Sequence, residues 1–224
     1  MILAAGFGER MLPLTRHTPK PLLEVGGRPL IAWHLQALAL AGLQQVVINV
    51  SHLGEQIENY CGDGSRWSLE LTYSREAQPL ETAGGIKQAL PLLGKAPFLV
   101  VNGDIWTDYP IDRLAGSSLH QWERARLVMV DNPPQHPMGD FCLESAGRVV
   151  SRPEQRSGYT YAGLGLFKPE FFDAMVPGKL ALRPLLDAAM ASGHLGGEYY
   201  AGQWEDVGTP ERLAQLATRL GEDS

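Results

Sequence analysis

Two runs of mainly apolar residues, 46–50 and 97–101, constrain the fold of this chain most. Strands that are apolar at successive positions are covered on both faces, as in a parallel sheet flanked by helices. Stretches with helical apolar spacing lie between the strands, and the clearest begins at Pro29 and ends at Gly42. A further strand is predicted over Ala125–Val130. This alternation predicts an α/β fold with a mostly parallel, doubly wound central sheet.

The pattern changes in the second half of the chain. Residues 131–140 are a proline-rich loop, and residues 141–150 predict a β-hairpin. The strand that follows contains Gly163, and a glycine inside a strand often marks the close approach of a ligand or of another backbone. We therefore expect residues 131–167 to form a small lid over the sheet edge, within one domain of residues 1–224.

The first strand is followed by a glycine-rich loop with two cations. Gly6 and Gly8 lie in this loop, Arg10 follows them, and a Thr-Pro-Lys-Pro stretch presents Lys20. Glycines after a strand let backbone N–H groups approach a phosphate closely, and the two cations supply the positive charge that an oligophosphate needs. The stretch predicts a nucleoside triphosphate site.

Two other interpretations of this loop are weaker or less specific. A dinucleotide-binding turn needs a third glycine where Met11 stands and a helix where the chain continues through Pro13. The Walker phosphate loop needs a Gly-Lys-Ser/Thr sequence, which does not occur there. A plain glycine-rich turn with solvent-facing Arg10 and Lys20 remains an alternative.

Two aspartates follow predicted strands. Asp104 comes directly after the run 97–101, and Asp206 ends a strand or hairpin predicted over residues 198–207. We expect both aspartates at the same carboxyl edge of the sheet, where open α/β folds bind their ligands. Asp104 is therefore a candidate for a metal-binding or phosphate-facing role, and the alternative is an aspartate that caps the next turn.

A helix is predicted over residues 83–90, with Thr82 as its capping residue. Gly84 and Gly85 stand in its first turn, where glycine lowers helix stability. Either a ligand lies against the free N–H groups of this turn, or the helix start is loosely capped.

The composition excludes several functional classes. The chain has 224 residues, 44% of them hydrophobic and 20% charged, as in ordinary soluble proteins. Its formal net charge of -6 argues against sequence-independent nucleic-acid binding, although a nucleotide ligand needs only a local basic patch. Cys61 and Cys142 set no disulfide framework, and neither a membrane span nor a signal peptide is predicted. We expect a cytoplasmic protein with reduced thiols, monomeric or a small homo-oligomer.

Four separated motifs together resemble a known family. They are LAAGFGERM…TPKPLLEVGGRPLI, PLETAGGIKQAL, VVNGD and GQWEDVGTPERL. In this order they resemble the signature of the sugar-1-phosphate nucleotidyltransferases. The resemblance implies a Rossmann-like α/β/α sandwich with a sugar-binding lid. It also implies that the protein joins a nucleoside triphosphate to a sugar 1-phosphate and releases pyrophosphate.

The resemblance also implies roles for individual residues. Arg10 and Lys20 would hold the triphosphate, and Asp104 and Asp206 would bind one Mg²⁺; these four are the implied catalytic residues. The implied nucleotide-binding residues are Ala4, Ala5, Gly6, Gly8, Arg10, Lys20, Glu76, Pro79 and Gly84. The implied sugar-binding residues are Glu81, Asn102, Asp140 and Gly163. Because a sugar phosphate is already ionised at neutral pH, no general base is needed, and His17, His34 and His52 are interpreted as structural or solvent residues.

The sequence Glu81-Thr82-Ala83-Gly84-Gly85 resembles the version of its motif found in N-acetylmuramate-1-phosphate uridylyltransferases. The implied substrates are UTP and N-acetylmuramate 1-phosphate, in cell-wall sugar recycling. Mannose or glucose 1-phosphate with GTP, dTTP or UTP is the alternative within the same chemistry, and a non-catalytic nucleotide-sugar sensor is the alternative of another class. Many relatives carry Glu-Lys-Pro where this chain has Ser151-Arg152-Pro153; either Arg152 replaces the lysine that meets the sugar phosphate, or the phosphate is held otherwise.

Overall fold

A seven-stranded sheet forms the centre of the computed structural model, which describes residues 1–222. The strands are β1 (Ile2–Leu3), β2 (Glu24–Val25), β3 (Arg28–Pro29), β4 (Gln45–Val50), β5 (Glu70–Arg75), β6 (Phe98–Asn102), β7 (Ile105–Thr107), β8 (Ala125–Val130), β9 (Phe141–Leu143), β10 (Val149–Ser151), β11 (Thr160–Phe167), β12 (Leu195–Tyr199) and β13 (Trp204–Asp206). The α-helices are α1 (Leu30–Leu40), α2 (Gly54–Cys61), α3 (Glu81–Leu93), α4 (Ile111–Ala115), α5 (Arg183–Ala191) and α6 (Pro210–Glu222). Short 3₁₀ turns cover Glu9–Met11, Leu14–Arg16, Lys20–Leu22, Ser65–Trp67 and Pro169–Phe172.

The strand order of the large sheet is β12-β8-β11-β6-β1-β4-β5. Neighbouring strands are parallel except at β11, which runs antiparallel to both β6 and β8. The predicted mostly parallel sheet is therefore confirmed. Although β1 has only two residues, it lies in the middle of the sheet, with Ile2 opposite Ile48 on one side and Val101 on the other.

Alternate residues of the central strands enter two separate cores. Val46, Ile48 and Val50 of β4 pack with α1, α2 and α4, whereas Val47 packs on the other face of the sheet with α3 and α5. The run 46–50 is apolar at these positions because both faces of its strand are covered. The result is the predicted three-layer arrangement of helices, sheet and helices.

A third core cluster joins the last helix to the start of the chain. Leu216 of α6 packs there with Val25 of β2, Leu30 and Trp106. The antiparallel pairs β2–β3 and β7–β13 lie outside the large sheet. Through these contacts α6 and β13 are held close to the N-terminal loop.

The predicted hairpin over residues 141–150 is confirmed, with Val149 of β10 opposite Leu143 of β9. Phe141 and Val149 are buried in the same core as α5, so the hairpin packs against the body of the fold. The loop before it reaches the sheet edge. Whether residues 131–167 act as a lid within one domain stays a prediction, and residues 223–224 lie outside the described part of the chain.

The prediction that residues 198–207 form one strand or hairpin is wrong, although a strand does end at Asp206, as predicted. This stretch is divided between β12, which is parallel to β8 in the large sheet, and β13, which pairs with β7. Residues 200–203 cross from one sheet to the other, so β12 and β13 have different partners.

Thr82 does not cap α3. The helix begins at Glu81 with Leu80 at its N-cap, and no side-chain hydrogen bond caps it. The N–H groups of Ala83 and Gly84 instead donate to the carbonyl of Leu180 at 3.0 and 3.1 Å. A distant backbone carbonyl thus takes the place of the local cap. No helix within residues 1–222 is long and apolar enough to cross a membrane.

Shortening the Ile2 side chain of β1 should destabilise the fold strongly, because this side chain is fully buried at the centre of the sheet. We expect Ile2→Ala to lower the free energy of unfolding by about 2–5 kcal/mol, measured by urea denaturation. Leu40→Ala is the control, since the Leu40 side chain is 79% exposed and its truncation should change stability by less than about 0.5 kcal/mol. Similar losses in both variants would contradict the central role of β1.

Candidate active site

A cavity of about 650 Å³ opens where β1 and β6 end. Its walls come from the loop after β1, the turn after β6, the start of α3 and the 3₁₀ turn at Lys20. The predicted site residues that line it are Ala4, Ala5, Gly6, Gly8, Arg10, Lys20, Glu76, Pro79, Glu81, Asn102 and Asp104. The structure therefore brings eleven of the predicted positions to one surface.

A second cavity of about 270 Å³ adjoins the first. Arg10, Asn102 and Asp104 line both cavities. The second one adds two predicted residues, Gly163 and Asp206. The larger cavity holds most of the predicted nucleotide residues together with Glu81, the smaller one adds Gly163, and Asn102 lines both.

The glycine-rich loop turns back on itself at Gly8, whose φ of +66° favours glycine. A Cβ atom there would lie 2.9 Å from Cγ2 of Thr15, and the Thr15 hydroxyl donates to the Gly8 carbonyl at 2.8 Å. Gly6 is different, because a Cβ atom there would have no neighbour within 4 Å. The backbone at Gly6 thus faces the open space of the cavity.

Lys20 and Asp104 form an ion pair in the wall of the larger cavity, and Asp104 also lines the smaller one. The Lys20 Nζ atom donates to Oδ2 of Asp104 at 2.7 Å. The lysine side chain is only 9% exposed, whereas the aspartate side chain is 40% exposed. Because a buried ammonium group is costly without a partner, each residue fixes the position of the other.

Asp206 reaches the site through the small β7–β13 ladder. In its register Asp206 lies opposite Ile105, the residue after Asp104, and the N–H group of Val207 donates to the Asp104 carbonyl at 2.9 Å. Arg212 of α6 donates to Oδ2 of Asp206 at 2.6 Å. We expected both aspartates at the edge of one sheet; the structure instead joins them through a separate pair of strands.

Asp104 and Asp206 are the candidate metal ligands. Within the described residues no group of three or more His, Cys, Asp or Glu side chains could hold a metal ion by itself. Carboxylates are hard oxygen ligands, and Mg²⁺ typically takes one or two of them together with substrate phosphates and waters. The two aspartates therefore fit a magnesium ion that a phosphate ligand helps to hold.

Glu76 belongs to a buried network that the sequence analysis missed. The Ala4 N–H group donates to Oδ1 of Asn49 at 2.8 Å, and the Asn49 amide donates to Oε1 of Glu76 at 2.7 Å. The other carboxylate oxygen of Glu76 accepts from the N–H group of Leu80 at 2.8 Å. Asn49 interrupts the apolar run 46–50, and this polar residue in a buried strand was the sequence signal for a buried hydrogen-bond partner. The network ties the ends of β1, β4 and β5 to the start of α3.

The two glycines of α3 approach the protein itself. A Cβ atom at Gly84 would lie 2.3 Å from the carbonyl oxygen of Gly178, and one at Gly85 would lie 2.5 Å from Oε1 of Glu76. Gly84 lies outside both cavity walls, and its N–H group is already paired with Leu180. Close packing of the chain accounts for both glycines, and whether a nucleotide also contacts Gly84 stays a prediction.

Asn102 and Gly163 meet across neighbouring strands. Gly163 has a φ of +76°, and a Cβ atom there would lie 2.8 Å from the Asn102 amide nitrogen. This glycine stands at an irregularity in the pairing of β11 with β8. It gives the Asn102 side chain room at the wall that the two cavities share.

Asp140 lies behind the second cavity and outside its wall. Its Oδ2 atom accepts from the Tyr161 N–H group at 2.9 Å, and Oδ1 lies 3.2 Å from Nε2 of His136. His136 itself lines the cavity and was missed by the sequence analysis. Asp140 thus contacts two residues of the second cavity wall, Tyr161 and His136, and its position fits a role in holding that wall.

Arg152 lies in neither of the two cavity walls. Its Nη1 atom donates to the carbonyls of Pro153 and Arg156 at 3.0 and 3.2 Å, so the guanidinium group closes its own loop. Which group meets the sugar phosphate in place of the lysine of many relatives stays a prediction.

The histidines lie in different environments. His17 is exposed, His52 packs beside Phe7 with ring centroids 5.5 Å apart, and His34 of α1 is buried. Burial lowers the pKa of His34 to about 4, although the Asp104 charge and a hydrogen bond to the backbone of Ile105 act in the opposite direction. His34 thus supports the turn that carries Asp104 from behind and is neutral near pH 7.

A family model described as nucleotidyl transferase matches residues 1–222. The chain belongs to the nucleotidyl transferase family. It is 49% identical to an N-acetylmuramate alpha-1-phosphate uridylyltransferase of Neisseria meningitidis, over 99% of this chain and 97% of that protein. It is 33% identical to a protein of the same name from Caulobacter vibrioides, over 99% and 96%.

More distant proteins are also similar in sequence or in fold. A mannose-1-phosphate guanyltransferase of Neurospora crassa is 32% identical over 94% of this chain, which spans 61% of that protein. The fold matches a Bacillus anthracis structure named as a glucose-1-phosphate thymidylyltransferase, with a TM-score of 0.87 at 21% identity over 99% of this chain and 94% of that one. HddC from Yersinia pseudotuberculosis matches with a TM-score of 0.79, also at 21% identity, over 97% of each chain. These structural matches confirm the predicted fold class.

The low pKa of His34 should make stability depend on pH. Because the folded-state pKa of about 4 lies below the ordinary value of 6.5, the unfolded state binds the proton first, and stability falls as the pH drops from about 6.5 to about 4. Between pH 7.5 and 5 this histidine should lower the free energy of unfolding by about 2 kcal/mol. In His34→Gln that part of the loss should disappear, measured by urea denaturation at both pH values.

His17→Gln is the matched control, since His17 is exposed. It should show the same pH-dependent loss as the unsubstituted protein. If His34→Gln also showed the full loss, the buried neutral histidine would not be its source.

Proposed function

We propose that this protein transfers a uridylyl group from UTP to N-acetylmuramate 1-phosphate, which gives UDP-N-acetylmuramate and pyrophosphate. The observation that carries the proposal is the lining of the two cavities: Lys20 and the glycine-rich loop line the larger cavity, Asp206 lines the smaller one, and Arg10 and Asp104 line both. The substrates are inferred from the full-length similarity to the Neisseria protein, at 49% identity. A place in cell-wall sugar recycling is part of the proposal.

The triphosphate would lie along the glycine-rich loop. Gly6 leaves its backbone open to the cavity, so N–H groups can approach phosphate oxygens. Arg10 can bind two phosphate oxygens at once through its planar guanidinium group, whereas Lys20 supplies a compact charge held in place by Asp104. These two cations would neutralise the charge that grows on the leaving pyrophosphate.

The sugar would lie beside Gly163 in the second cavity and extend past Asn102, which lines both cavities, toward Glu81 in the larger one. In the reaction, an oxygen of the sugar phosphate forms a bond to the α-phosphorus of UTP. The bond from that phosphorus to the α–β bridging oxygen breaks, and its electron pair leaves with pyrophosphate. Since the attacking oxygen is already ionised, positioning and charge neutralisation suffice, and no side chain has to remove a proton.

Mg²⁺ is the metal that we propose for Asp104 and Asp206. When bound, it would supply Lewis-acid stabilisation of phosphate charge. Lys20 and Arg212, which pair with these aspartates, hold the two carboxylates in place. A metal ion would share the two carboxylates with these cations.

Two other functions remain as outcomes of the tests. Mannose-1-phosphate guanylyl transfer is favoured by the similarity to the Neurospora protein, although at the lower identity of 32%. A non-catalytic nucleotide-sugar sensor would be favoured by a missing aspartate or cation. The two cations and two aspartates are all present, and each lines at least one of the two cavities, which favours an enzyme. They are Arg10, Lys20, Asp104 and Asp206.

The proposal is tested by pyrophosphate release with four nucleoside triphosphates and five sugar 1-phosphates, including N-acetylmuramate, N-acetylglucosamine, mannose and glucose 1-phosphate. We expect the highest kcat/KM with UTP and N-acetylmuramate 1-phosphate. A preference for GTP and mannose 1-phosphate would show that the proposed substrates are wrong, while nucleotidyl transfer to a sugar 1-phosphate would remain the reaction. Nucleotide binding with no turnover of any pair would support the sensor.

The candidate metal ligands are tested by Asp104→Asn and Asp206→Asn. An amide oxygen still accepts from Lys20 or Arg212, so the fold should persist while the charge that a metal needs is removed. We expect each variant to lose about 100- to 1,000-fold in kcat/KM at saturating Mg²⁺. Asp173→Asn, at an exposed aspartate, is the control and should keep its activity. Near-normal rates in either test variant would exclude that residue as a ligand.

A further inference from the structure

Glu81 has an unusual backbone conformation for its residue type. Its φ of +61° lies in the left-handed region, which costs a non-glycine residue energy. The residue nevertheless begins α3 and lines the larger cavity. Backbone strain at a cavity wall indicates that the side chain at this position has a function there.

Lys179 lines the same cavity opposite Glu81, with its Nζ atom 3.5 Å from Oε1 of Glu81. The backbone around Lys179 is fixed to α3. The Leu180 N–H group donates to the Leu80 carbonyl at 2.9 Å, and the Leu180 carbonyl accepts from Ala83 and Gly84. Gly84 permits this contact, because any side chain there would meet the Gly178 carbonyl. The segment thus holds a lysine at the cavity wall.

The Lys179 ammonium group has free binding capacity. Within residues 1–222, Glu81 is its one ion-pair partner, and no hydrogen bond uses its Nζ atom. An ammonium group carries three N–H donors, so a second carboxylate can bind beside Glu81. The Lys179 side chain is 65% exposed, which leaves it accessible to a ligand.

The other cations of the site have different tasks. Lys20 is paired with Asp104, and Arg10 stands at the wall that both cavities share, where the phosphates are proposed to lie. Arg183 pairs with Asp187 at 2.8 Å, stacks on Phe141 and lies in neither cavity wall. Of the three cations within residues 1–222 that line the larger cavity, Arg10 and Lys20 are assigned to the phosphates. Lys179 is the one that has no such role.

N-acetylmuramate 1-phosphate carries one anionic group more than N-acetylglucosamine 1-phosphate, the carboxylate of its lactyl ether. We infer that Lys179, oriented by Glu81, binds this lactyl carboxylate and so selects the muramate sugar. The inference rests on the proposed function. In this inference the Glu81–Lys179 pair discriminates between N-acetylmuramate and N-acetylglucosamine 1-phosphate, which share their phosphate and their N-acetyl group.

The test compares the unsubstituted protein with Lys179→Met, Lys179→Arg and the control Lys95→Met. Lys95 is an exposed lysine just beyond the other end of α3. Steady-state kinetics give KM for UTP and for N-acetylmuramate 1-phosphate. The inhibition constant of N-acetylglucosamine 1-phosphate is measured in the same assay and needs no turnover of that sugar.

In Lys179→Met we expect KM for N-acetylmuramate 1-phosphate to rise about tenfold or more, because a charge-assisted contact is lost. KM for UTP and the inhibition constant of N-acetylglucosamine 1-phosphate should stay within about twofold, since neither ligand carries the lactyl carboxylate. Lys179→Arg should recover most of the affinity, and Lys95→Met should match the unsubstituted protein.

Three outcomes would overturn the inference. Unchanged KM values in Lys179→Met would exclude the contact. Equal rises for UTP and for both sugars would make Lys179 a general phosphate-binding cation or a structural residue. Absence of activity with N-acetylmuramate 1-phosphate in the unsubstituted protein would overturn the proposed function itself. Because the unsubstituted protein is measured first, this outcome is recognised before any variant is compared.

Discussion

The site depends on the register of one very short strand. Leu3 of β1 lies opposite Asn49 of β4 on one side and Asn102 of β6 on the other. Because parallel strands end at one edge, this register brings the start of the glycine-rich loop, a buried amide and the turn before Asp104 together. A slip by one residue would turn each side chain of β1 to the other face of the sheet. The buried side chain of Ile2 and the bond from Ala4 to Asn49 both oppose such a slip.

Charge pairing gives this edge its second constraint. Asp104 is paired with Lys20 from the 3₁₀ turn, and Asp206 is paired with Arg212 from α6. Each pair joins separate elements of the fold, so the carboxylates are held in position before any ligand binds. Such preorganisation is what electrostatic catalysis requires, since charged groups that are already in place need little reorganisation during the reaction. The cost of burying Lys20 is offset by its 2.7 Å contact with Asp104.

Local sequence patterns predicted what depends on local physics. The apolar run 97–101 predicted a buried strand, and the position of Asp104 after it predicted a carboxylate at the sheet edge. The failures concern partners that are distant in sequence. No local signal shows that residues 200–203 change sheets, or that the Leu180 carbonyl takes the place of a Thr82 cap. Asn49 shows the intermediate case: its polar side chain in an apolar strand signalled a buried partner, but only the fold identifies that partner as Glu76.

Glycine shows why a pattern can locate a site and still misassign its residues. The glycines in and near the two cavities differ in what a side chain at their position would meet. At Gly84, Gly85 and Gly163 a Cβ atom would meet the protein's own backbone or side chains, whereas at Gly6 it would meet open space. Gly84 and Gly85, which lie in neither cavity wall, let α3 pack closely against other parts of the chain, and Gly163 does the same within the wall, whereas Gly6 leaves open space at the larger cavity. A glycine motif therefore indicates where a surface must be smooth, and only the fold shows whether the smooth surface faces a ligand or another part of the chain.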